Sequence, residues 1–244
     1  YRVIAPDQRG YSPKARPTLI KEYTLKHTVS DVLAIANAYK LKRFHLVGHD
    51  WGSSVGWAFI AEYPEKIYSW TSLSIPHMKA FQEAYRNDFD QQEKSKYIGF
   101  FNMPFFPEFY MSFNNYKNLR KVWKVHGDEE IDAYLNVFRQ RGALRSALNW
   151  YRANIGNRRK PSDYIQFENV EVPTLFIWGN MDMAIGRKSV ELSEKYMKGP
   201  YNFIELYAGH WLIQEEFDKV SNAMIKHLNK YSSSFYEPHL GRKK

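Results

Sequence analysis

The clearest candidate for a reactive site is the pentapeptide Gly48–Gly52, which reads Gly-His-Asp-Trp-Gly. Its pattern is typical of a strained turn between a strand and a helix, where the middle residue projects its reactive atom above a sheet. Glycine at both ends permits the tight turn, because a Cβ there would clash. The middle residue is Asp50, and a carboxylate can attack saturated carbon and remain bound to it as an ester. The pattern therefore predicts Asp50 as a nucleophile.

The same turn supplies groups that would assist Asp50. At the N-terminus of the following helix, backbone N–H groups favour an ionised carboxylate. The N–H of Trp51 could then stabilise the oxyanion that forms when the ester is hydrolysed. A second interpretation stays open on the pentapeptide alone, since Asp is a favoured helix cap and Asp50 could simply cap the helix.

Two further residues stand where the partners of a nucleophile are needed. Asp182 ends the segment Trp178–Asp182, which follows a buried strand, and His210 follows the strand Tyr201–Leu206. Ligands of open α/β sheets bind at the carboxyl ends of the strands, so Asp50, Asp182 and His210 are expected to converge at one edge. The order nucleophile, acid, histidine is also that of hydrolases built on this turn. We predict that His210 activates water and that Asp182 orients His210; a purely structural histidine is the alternative.

Hydrophobic spacing indicates the elements that could hold these residues in place. We predict strands at Tyr1–Pro6, Phe44–Val47, Ile67–Ile75, Pro173–Trp178 and Tyr201–Leu206, and helices at Thr28–Tyr39, Ser53–Glu62, Ser189–Met197 and Glu216–Tyr231. Strands that alternate with helices are typical of a parallel sheet with helices on both faces, so the predicted fold class is α/β.

One long segment departs from this alternation. Residues 77–164 are rich in aromatic side chains at helical spacing, are broken at Pro104 and Pro107, and contain no clear strand pattern. We therefore predict a helical lid over 77–164, inserted between two parts of the α/β core at 1–76 and 165–244.

Composition excludes several classes of protein. With 244 residues, 44% hydrophobic and 25% charged, the chain has the make-up of a globular protein with one large core. The absence of cysteine excludes disulfide scaffolds and cysteine nucleophiles. The net charge of +9 comes from scattered basic groups without interleaved aromatics, so we expect no nucleic-acid partner. No apolar run approaches the roughly 18 residues of a membrane span. A cytoplasmic location is the default expectation, and the oligomeric state is left open.

On these motifs the chain resembles the α/β-hydrolase epoxide hydrolases and their bacterial relatives. The turn with Asp50 and Trp51 is shared by epoxide hydrolases and haloalkane dehalogenases, whereas the segment Leu148–Arg152 favours the epoxide hydrolases. Further matching segments are Ala5–Ser12, Ser74–His77, the loop of Asp182, and Gly209–Trp211. The resemblance implies an α/β-hydrolase core with a mostly parallel sheet and an inserted helical lid.

The resemblance also implies a role for each site residue. Asp50 would be the nucleophile, His210 the base, and Asp182 the carboxylate that orients it. Tyr151 would donate a proton or hydrogen bond to the epoxide oxygen; packing in an aromatic helix is the alternative for this tyrosine. No metal or organic cofactor is implied, and water is the second substrate.

The lid of the family normally carries a second tyrosine, four residues before a proline. The matching proline here is Pro104, and the residue four before it is Phe100, which cannot donate a hydrogen bond. Tyr97 lies one helical turn earlier on the same face and could replace the second tyrosine, or could simply pack.

A second departure from the family concerns a loop. Epoxide hydrolases carry a His-Gly-x-Pro loop ahead of the strand that matches Tyr1–Pro6, and no such motif occurs in this sequence. In the family's sheet, the strand before that loop lies between the strands matching Tyr1–Pro6 and Phe44–Val47. We therefore expect that the first strands of the fold are absent from this chain, which would be part of a longer protein, or that they are supplied otherwise.

The function implied is the opening of a small lipophilic epoxide to a diol through an aspartyl ester. Two alternatives stay open. A haloalkane dehalogenase would use the same nucleophile, with Trp51 donating an N–H to the halide, and a degenerate hydrolase that only binds a ligand would explain the missing loop.

Overall fold

A computed structural model describes residues 1–123, 125–155 and 164–232. Within them lies a parallel sheet of four strands in the order β1-β2-β3-β4. The strands are β1 Phe44–His49, β2 Ile67–Leu73, β3 Thr174–Gly179 and β4 Tyr201–Leu206. Consecutive strands are therefore neighbours, and β1 stands at one edge of the described sheet.

The α-helices of the described residues are numbered in chain order. They are α1 Leu25–Ala38, α2 Trp51–Glu62, α3 Met78–Asn87, α4 Phe89–Lys94, α5 Lys96–Phe101, α6 Phe106–Arg120, α7 Asp128–Phe138, α8 Ala143–Asn154, α9 Arg187–Glu191, α10 Leu212–Glu215 and α11 Phe217–Lys230. Helix α6 is interrupted at residues 113–116, three of which have left-handed backbone angles. None of the helices described has the length and apolar character needed to cross a membrane.

The chain divides into two compact units. The sheet unit comprises residues 36–92 and 166–244, and the helical unit comprises residues 1–35 and 93–165. These bounds differ from the predicted division, because residues 77–92 belong with the sheet and residues 1–35 with the lid helices. The described residues of 77–164 hold α3–α8 joined by turns and loops, and no strand lies among them; residues 124 and 156–163 lie outside the described part.

The core of the sheet unit is built on both faces of β3, all of whose residues are buried. Alternate residues of a strand point to opposite faces. Leu175 and Ile177 accordingly pack with Leu212 and Val220 of the C-terminal helices. On the other face, Phe176 and Trp178 belong to a second apolar cluster, together with Ile185 and Val190. Burial on both faces explains why this strand is a continuous apolar run in the sequence.

Polar side chains tie the first residues of the chain to α8 within the helical unit. The Tyr23 hydroxyl lies 2.8 Å from Ser146 Oγ. The Trp150 indole donates to the carbonyl of Arg9 at 2.9 Å. The buried amide of Asn154 donates to Tyr23 O and accepts from the backbone N–H of Leu25, both at 2.8 Å. Buried polar groups need such partners, and these bonds explain why residues 1–35 belong to this unit.

Two of the predicted elements are wrong. Residues Tyr1–Pro6 form no strand, and Val3 is 81% exposed. Alternating apolar residues identify a segment that can pair but not its partner, and the described sheet is made of β1–β4 alone.

The predicted helix Ser189–Met197 is instead split. Helix α9 ends at Glu191, and a separate 3-10 turn spans Glu194–Tyr196. The Ser189 and Ser193 hydroxyls bond to backbone carbonyls three and four residues earlier. Such bonds compete with the regular helix and explain the break.

Candidate active site

Asp50 occupies the turn between β1 and α2, with φ +51° and ψ −121°. A positive φ is uncommon for a residue with a side chain and costs free energy. The turn is so tight that a Cβ on Gly48 would lie 2.4 Å from the carbonyl oxygen of Gly52. The Asp50 side chain makes no capping bond to α2 and is 34% exposed. The local geometry therefore presents the carboxylate instead of using it as a helix cap.

Ser53 anchors this turn to the neighbouring strand. Its fully buried hydroxyl lies 2.6 Å from the carbonyl of Gly48 and 3.0 Å from the carbonyl of Leu73 at the end of β2. The N–H of Leu73 also donates to Ser53 Oγ, at 3.2 Å. Ser53 thus joins the strained turn at Asp50 to the end of β2.

The imidazole of His210 lies between two carboxylates. His210 Nε2 is 3.2 Å from Asp50 Oδ1, and His210 Nδ1 is 2.9 Å from Asp182 Oδ2. The structure thus brings together the three residues that the strand order was expected to bring together. The His210 side chain is 5% exposed and the Asp182 side chain is fully buried.

The loop of Asp182 is fixed by hydrogen bonds on both of its sides. Asp182 Oδ1 accepts the backbone N–H groups of Ala184 at 2.8 Å and Ile185 at 3.1 Å. From α4, the buried side chain of Gln91 donates to Ala184 O at 2.9 Å and accepts the Gly186 N–H at 2.8 Å. Sequence reasoning missed Gln91, because its role depends on a contact across more than ninety residues of chain.

The loop of His210 is held in a similar way. The carbonyl of His210 accepts His49 Nε2–H at 2.8 Å and the Ser74 hydroxyl at 2.9 Å. On either side of it, the N–H groups of Gly209 and Trp211 donate to the carboxylate of Glu215 at 2.7 and 3.1 Å. His49 lies inside the pentapeptide and Ser74 begins the matching segment Ser74–His77, but no role was predicted for either, and Glu215 lies in no motif.

The charges of the site are mutually stabilising. Burial alone would lower the pKa of His210, but hydrogen bonds and charges from Asp182 and Asp50 raise it to about 10. Burial would raise the pKa of Asp50, but His210, His49 and the Trp51 N–H hold it below its usual 3.8. Burial, with the neighbouring His210, lowers the pKa of His49. At neutral pH the site therefore holds an Asp50 anion, an imidazolium at His210 and a neutral His49.

The backbone N–H of Trp51, at the first position of α2, lies at the Asp50 carboxylate and helps to lower its pKa. Trp51 is therefore next to Asp50 as expected, and its role towards an oxyanion stays a prediction.

The two predicted tyrosines lie next to each other in the helical unit. The rings of Tyr97 on α5 and Tyr151 on α8 are 5.9 Å apart and nearly perpendicular. The ring of Phe101 lies 4.9 Å from that of Tyr151, and both tyrosines are half-buried. Tyr97 therefore lies next to Tyr151, and its role as the second tyrosine stays a prediction.

Known proteins identify the family. The model of the alpha/beta hydrolase fold family matches residues 1–217 of this chain. The chain belongs to that family. Among curated proteins, it is 32% identical to human "Epoxide hydrolase 4" over 91% of this chain, and 31% identical to the Bacillus subtilis "AB hydrolase superfamily protein YfhM" over 93%. It spans 63% of the length of the human relative and 80% of that of the bacterial one.

A solved structure of similar fold is also that of an epoxide hydrolase. The epoxide hydrolase of Bacillus megaterium, crystallised with an inhibitor, superposes with a TM-score of 0.79 at 26% sequence identity. The superposition covers 88% of this chain and 79% of the bacterial chain. These relatives confirm the predicted resemblance to epoxide hydrolases and the α/β-hydrolase fold.

Proposed function

We propose that this chain carries the catalytic residues of an epoxide hydrolase, which opens lipophilic epoxides to diols through an ester on Asp50. The observation that supports this most directly is the line of hydrogen bonds from Asp50 through His210 to Asp182. A carboxylate in the place of the usual serine favours attack on saturated carbon over ordinary ester hydrolysis. The similarity to epoxide hydrolases supports the same substrate class.

The first step is displacement at carbon. An Asp50 oxygen forms a bond to an epoxide carbon while the bond from that carbon to the ring oxygen breaks. The ring oxygen leaves as an alkoxide and takes a proton, which the resemblance assigns to the Tyr151 hydroxyl, with Tyr97 as a second donor. The lowered pKa of Asp50 supports this step, because it keeps the nucleophile ionised at neutral pH.

The second step is hydrolysis of the ester. Formation of the ester removes the negative charge of Asp50, which is one of the two groups that raise the pKa of His210. The imidazolium then loses its proton more readily, and that proton restores the Tyr151 hydroxyl by way of solvent, so that neutral His210 can accept a proton from water. The water oxygen attacks the ester carbonyl, and the Trp51 N–H stabilises the oxyanion. The bond between the carboxyl carbon and the diol oxygen then breaks, the diol oxygen takes the proton from His210, and the Asp50 carboxyl returns its proton to the imidazole. His210 is thus charged while Asp50 is an anion and becomes a neutral base once the ester has formed.

The test follows one oxygen atom. A single turnover of excess enzyme with a styrene-type epoxide in heavy-oxygen water should place the label in the Asp50 carboxyl group, as measured by mass spectrometry of the peptide that contains it. The diol from that turnover should be unlabelled, and an Asp50→Ala variant should give neither diol nor labelled peptide. Label in the diol, with unlabelled Asp50, would reject the covalent route.

A haloalkane dehalogenase would use the same nucleophile, and a change at Tyr151 distinguishes it from an epoxide hydrolase. If the substrate is an epoxide, Tyr151→Phe should lose activity towards epoxides, because the alkoxide is a poor leaving group without a proton donor. Activity of that variant towards alkyl halides would instead support a dehalogenase, since a halide leaves unprotonated. A chain that binds epoxides but forms no ester would be the ligand-binding alternative. The cytoplasmic location and the absence of a nucleic-acid partner stay predictions.

A further inference from the structure

The outer side of α6 and the loop before it expose a group of large apolar side chains in the helical unit. We call this group the aromatic face. Phe105 is 76% exposed and Phe109 is 65% exposed. The residues of the aromatic face are Met103, Phe105, Phe106, Phe109, Tyr110 and Phe113.

Several aromatic rings of this group lie against one another in pairs. Ring centroids are 6.0 Å apart for Phe109 and Phe113, and 6.3 Å apart for Phe106 and Tyr110. Pro107 and Met111 of the same helix are buried, so the helix also has an apolar side that packs within its unit. A contiguous exposed apolar surface on the outside marks an interaction site.

Hydrogen bonds from Arg152 hold the backbone that carries this face. The guanidinium of Arg152, itself 5% exposed, donates to the carbonyls of Phe101 at 3.1 Å and Met103 at 2.7 Å. It also binds both oxygens of Glu108, at 2.6 and 2.9 Å. A bidentate pair between arginine and a carboxylate fixes geometry as well as charge. Arg152 therefore fixes the loop before α6 and the first turn of that helix.

The charge of the chain is concentrated in the same unit. The helical unit contains 19 basic and 10 acidic residues, whereas the sheet unit contains 16 of each, so the net charge of +9 lies entirely in the helical unit. Around the aromatic face, residues 100–123 include one acidic side chain, Glu108, which Arg152 neutralises. Lys117 and Lys121 are exposed there, and Asn118 between them donates to Tyr110 O at 3.0 Å.

We propose that the aromatic face is a docking surface for a lipid membrane that contains anionic phospholipids. Exposed aromatic rings insert at the boundary of headgroups and acyl chains, and neighbouring lysines attract anionic headgroups. A second copy of the chain fits this surface less well, because its helical unit would carry the same positive charge. The proposal is independent of the chemistry at Asp50 and concerns where the protein meets lipophilic compounds.

The test is binding of the full chain to vesicles, measured by co-sedimentation. Vesicles of phosphatidylcholine with phosphatidylserine should bind the protein, and phosphatidylcholine alone should bind it much more weakly. Raising the salt concentration should weaken the binding to the anionic vesicles, because salt screens exposed charges. This arm requires no variant. No sedimentation with anionic vesicles at low salt would overturn the proposal.

Variants assign the binding to the aromatic face. The triple change Phe105→Ser, Phe109→Ser and Phe113→Ser should lower vesicle affinity by about 100-fold or more, since burial of one phenylalanine is worth roughly tenfold. The matched control is Phe89→Ser with Phe217→Ser, which removes two phenylalanines of the sheet unit that are 74% and 63% exposed. The control should bind vesicles as the parent chain does.

A separate pair of changes tests the charge. Lys117→Glu with Lys121→Glu should lower affinity for anionic vesicles while leaving the circular dichroism of the protein unchanged. Equal vesicle binding by the parent chain and the triple phenylalanine variant would overturn the proposal. It would also be overturned if sedimentation velocity showed a dimer that the triple variant abolishes, because the face would then belong to a second copy.

Discussion

Asp50 and Asp182 contact the same imidazole from its two nitrogen atoms, but their surroundings differ. Asp182 is fully buried, and its two oxygens accept from His210 and from two backbone N–H groups. Asp50 is 34% exposed and stands on strained backbone with φ +51°. One carboxylate has its hydrogen-bonding capacity committed to holding a shape, while the other is left open to a reactant. The environment, and not the residue type, separates the two proposed roles.

The largest expected effect comes from removing the exposed carboxylate. Asp50→Gly should reduce epoxide turnover by about 10⁶-fold, to the background rate, because no ester can form. The same change should make the protein more stable than Asp50→Ala by about 1 kcal/mol, since glycine adopts a positive φ without strain. Urea denaturation of the two variants measures the difference. Equal stability of the glycine and alanine variants would show that the turn stores no strain at this position.

The second prediction alters the buried carboxylate. Asp182→Asn should lower kcat by about 10³- to 10⁴-fold, because the amide does not hold the imidazole in the same charge state and tautomer. Attack by Asp50 is expected to suffer less than hydrolysis, so the ester should accumulate and appear in the mass of the intact protein. Asp218→Asn, an exposed change on α11, is the control. Slow turnover without accumulated ester would place the role of Asp182 in the first step instead.

The physical signals that predict the two carboxylates differ from those that predict the fold. Strand β4 matches its predicted range residue for residue, and β3 is displaced by one residue. The apolar run that predicts β3 reflects its complete burial, whereas β4 is largely exposed and was predicted from its alternation with the helices. The residues Asp50, Asp182 and His210 could be found because a turn motif and the direction of parallel strands are both local signals. The strand expected at Tyr1–Pro6 was wrong because pairing depends on a neighbour that no local pattern specifies.

The hydrogen bonds that hold the loops of Asp182 and His210 could not be predicted from the sequence. Gln91 reaches Ala184 and Gly186 from α4, and the carbonyl of His210 is bonded by His49 and Ser74. Each of these bonds joins segments that are far apart in the chain, and glutamine or serine in a helix or loop is ordinary. Contacts of this kind depend on the folded arrangement alone.

The third prediction concerns the proton that the two carboxylates hold on His210. The pKa of His210 is raised from 6.5 to about 10, so its charged form stabilises the fold fully below pH 6.5 and this contribution is lost as pH rises through 10. The free energy of unfolding should therefore fall by on the order of 3 kcal/mol between pH 7 and 10. His210→Gln should lack that part of the decline, as measured by urea denaturation at each pH.

Other buried histidines act in the opposite direction and do not obscure the result. Burial lowers the pKa of His77 and of His227 to about 4, so their contribution is present above pH 6.5 and is lost as pH falls towards 4. The alkaline window is therefore specific to His210 among these histidines. If His210→Gln followed the parent protein throughout that window, the imidazole would not carry the proton in the folded state.

The smallest expected effect tests whether the position of Asp182 depends on the hydrogen bonds that Gln91 makes to its loop. Gln91→Ala leaves Ala184 O and the Gly186 N–H without their side-chain partner, which costs about 1–3 kcal/mol in a buried site. The loop of Asp182 should loosen, so kcat should fall by about tenfold, with KM little changed. Gln92→Ala is the matched control, because Gln92 is the next residue and is exposed, and the bond described for its side chain goes to the carbonyl of Arg86.

A pH profile distinguishes positioning from a general loss of stability. If Gln91 acts through Asp182, a looser contact between Asp182 and His210 lowers the pKa of the imidazole, and the pH dependence of kcat should shift towards acid in Gln91→Ala. Gln91→Glu offers a partial replacement, since one oxygen can still accept the Gly186 N–H while the bond to Ala184 O is lost. A tenfold loss of kcat in Gln91→Ala with an unshifted pH profile would mean that Gln91 supports the fold of α4 and does not orient Asp182.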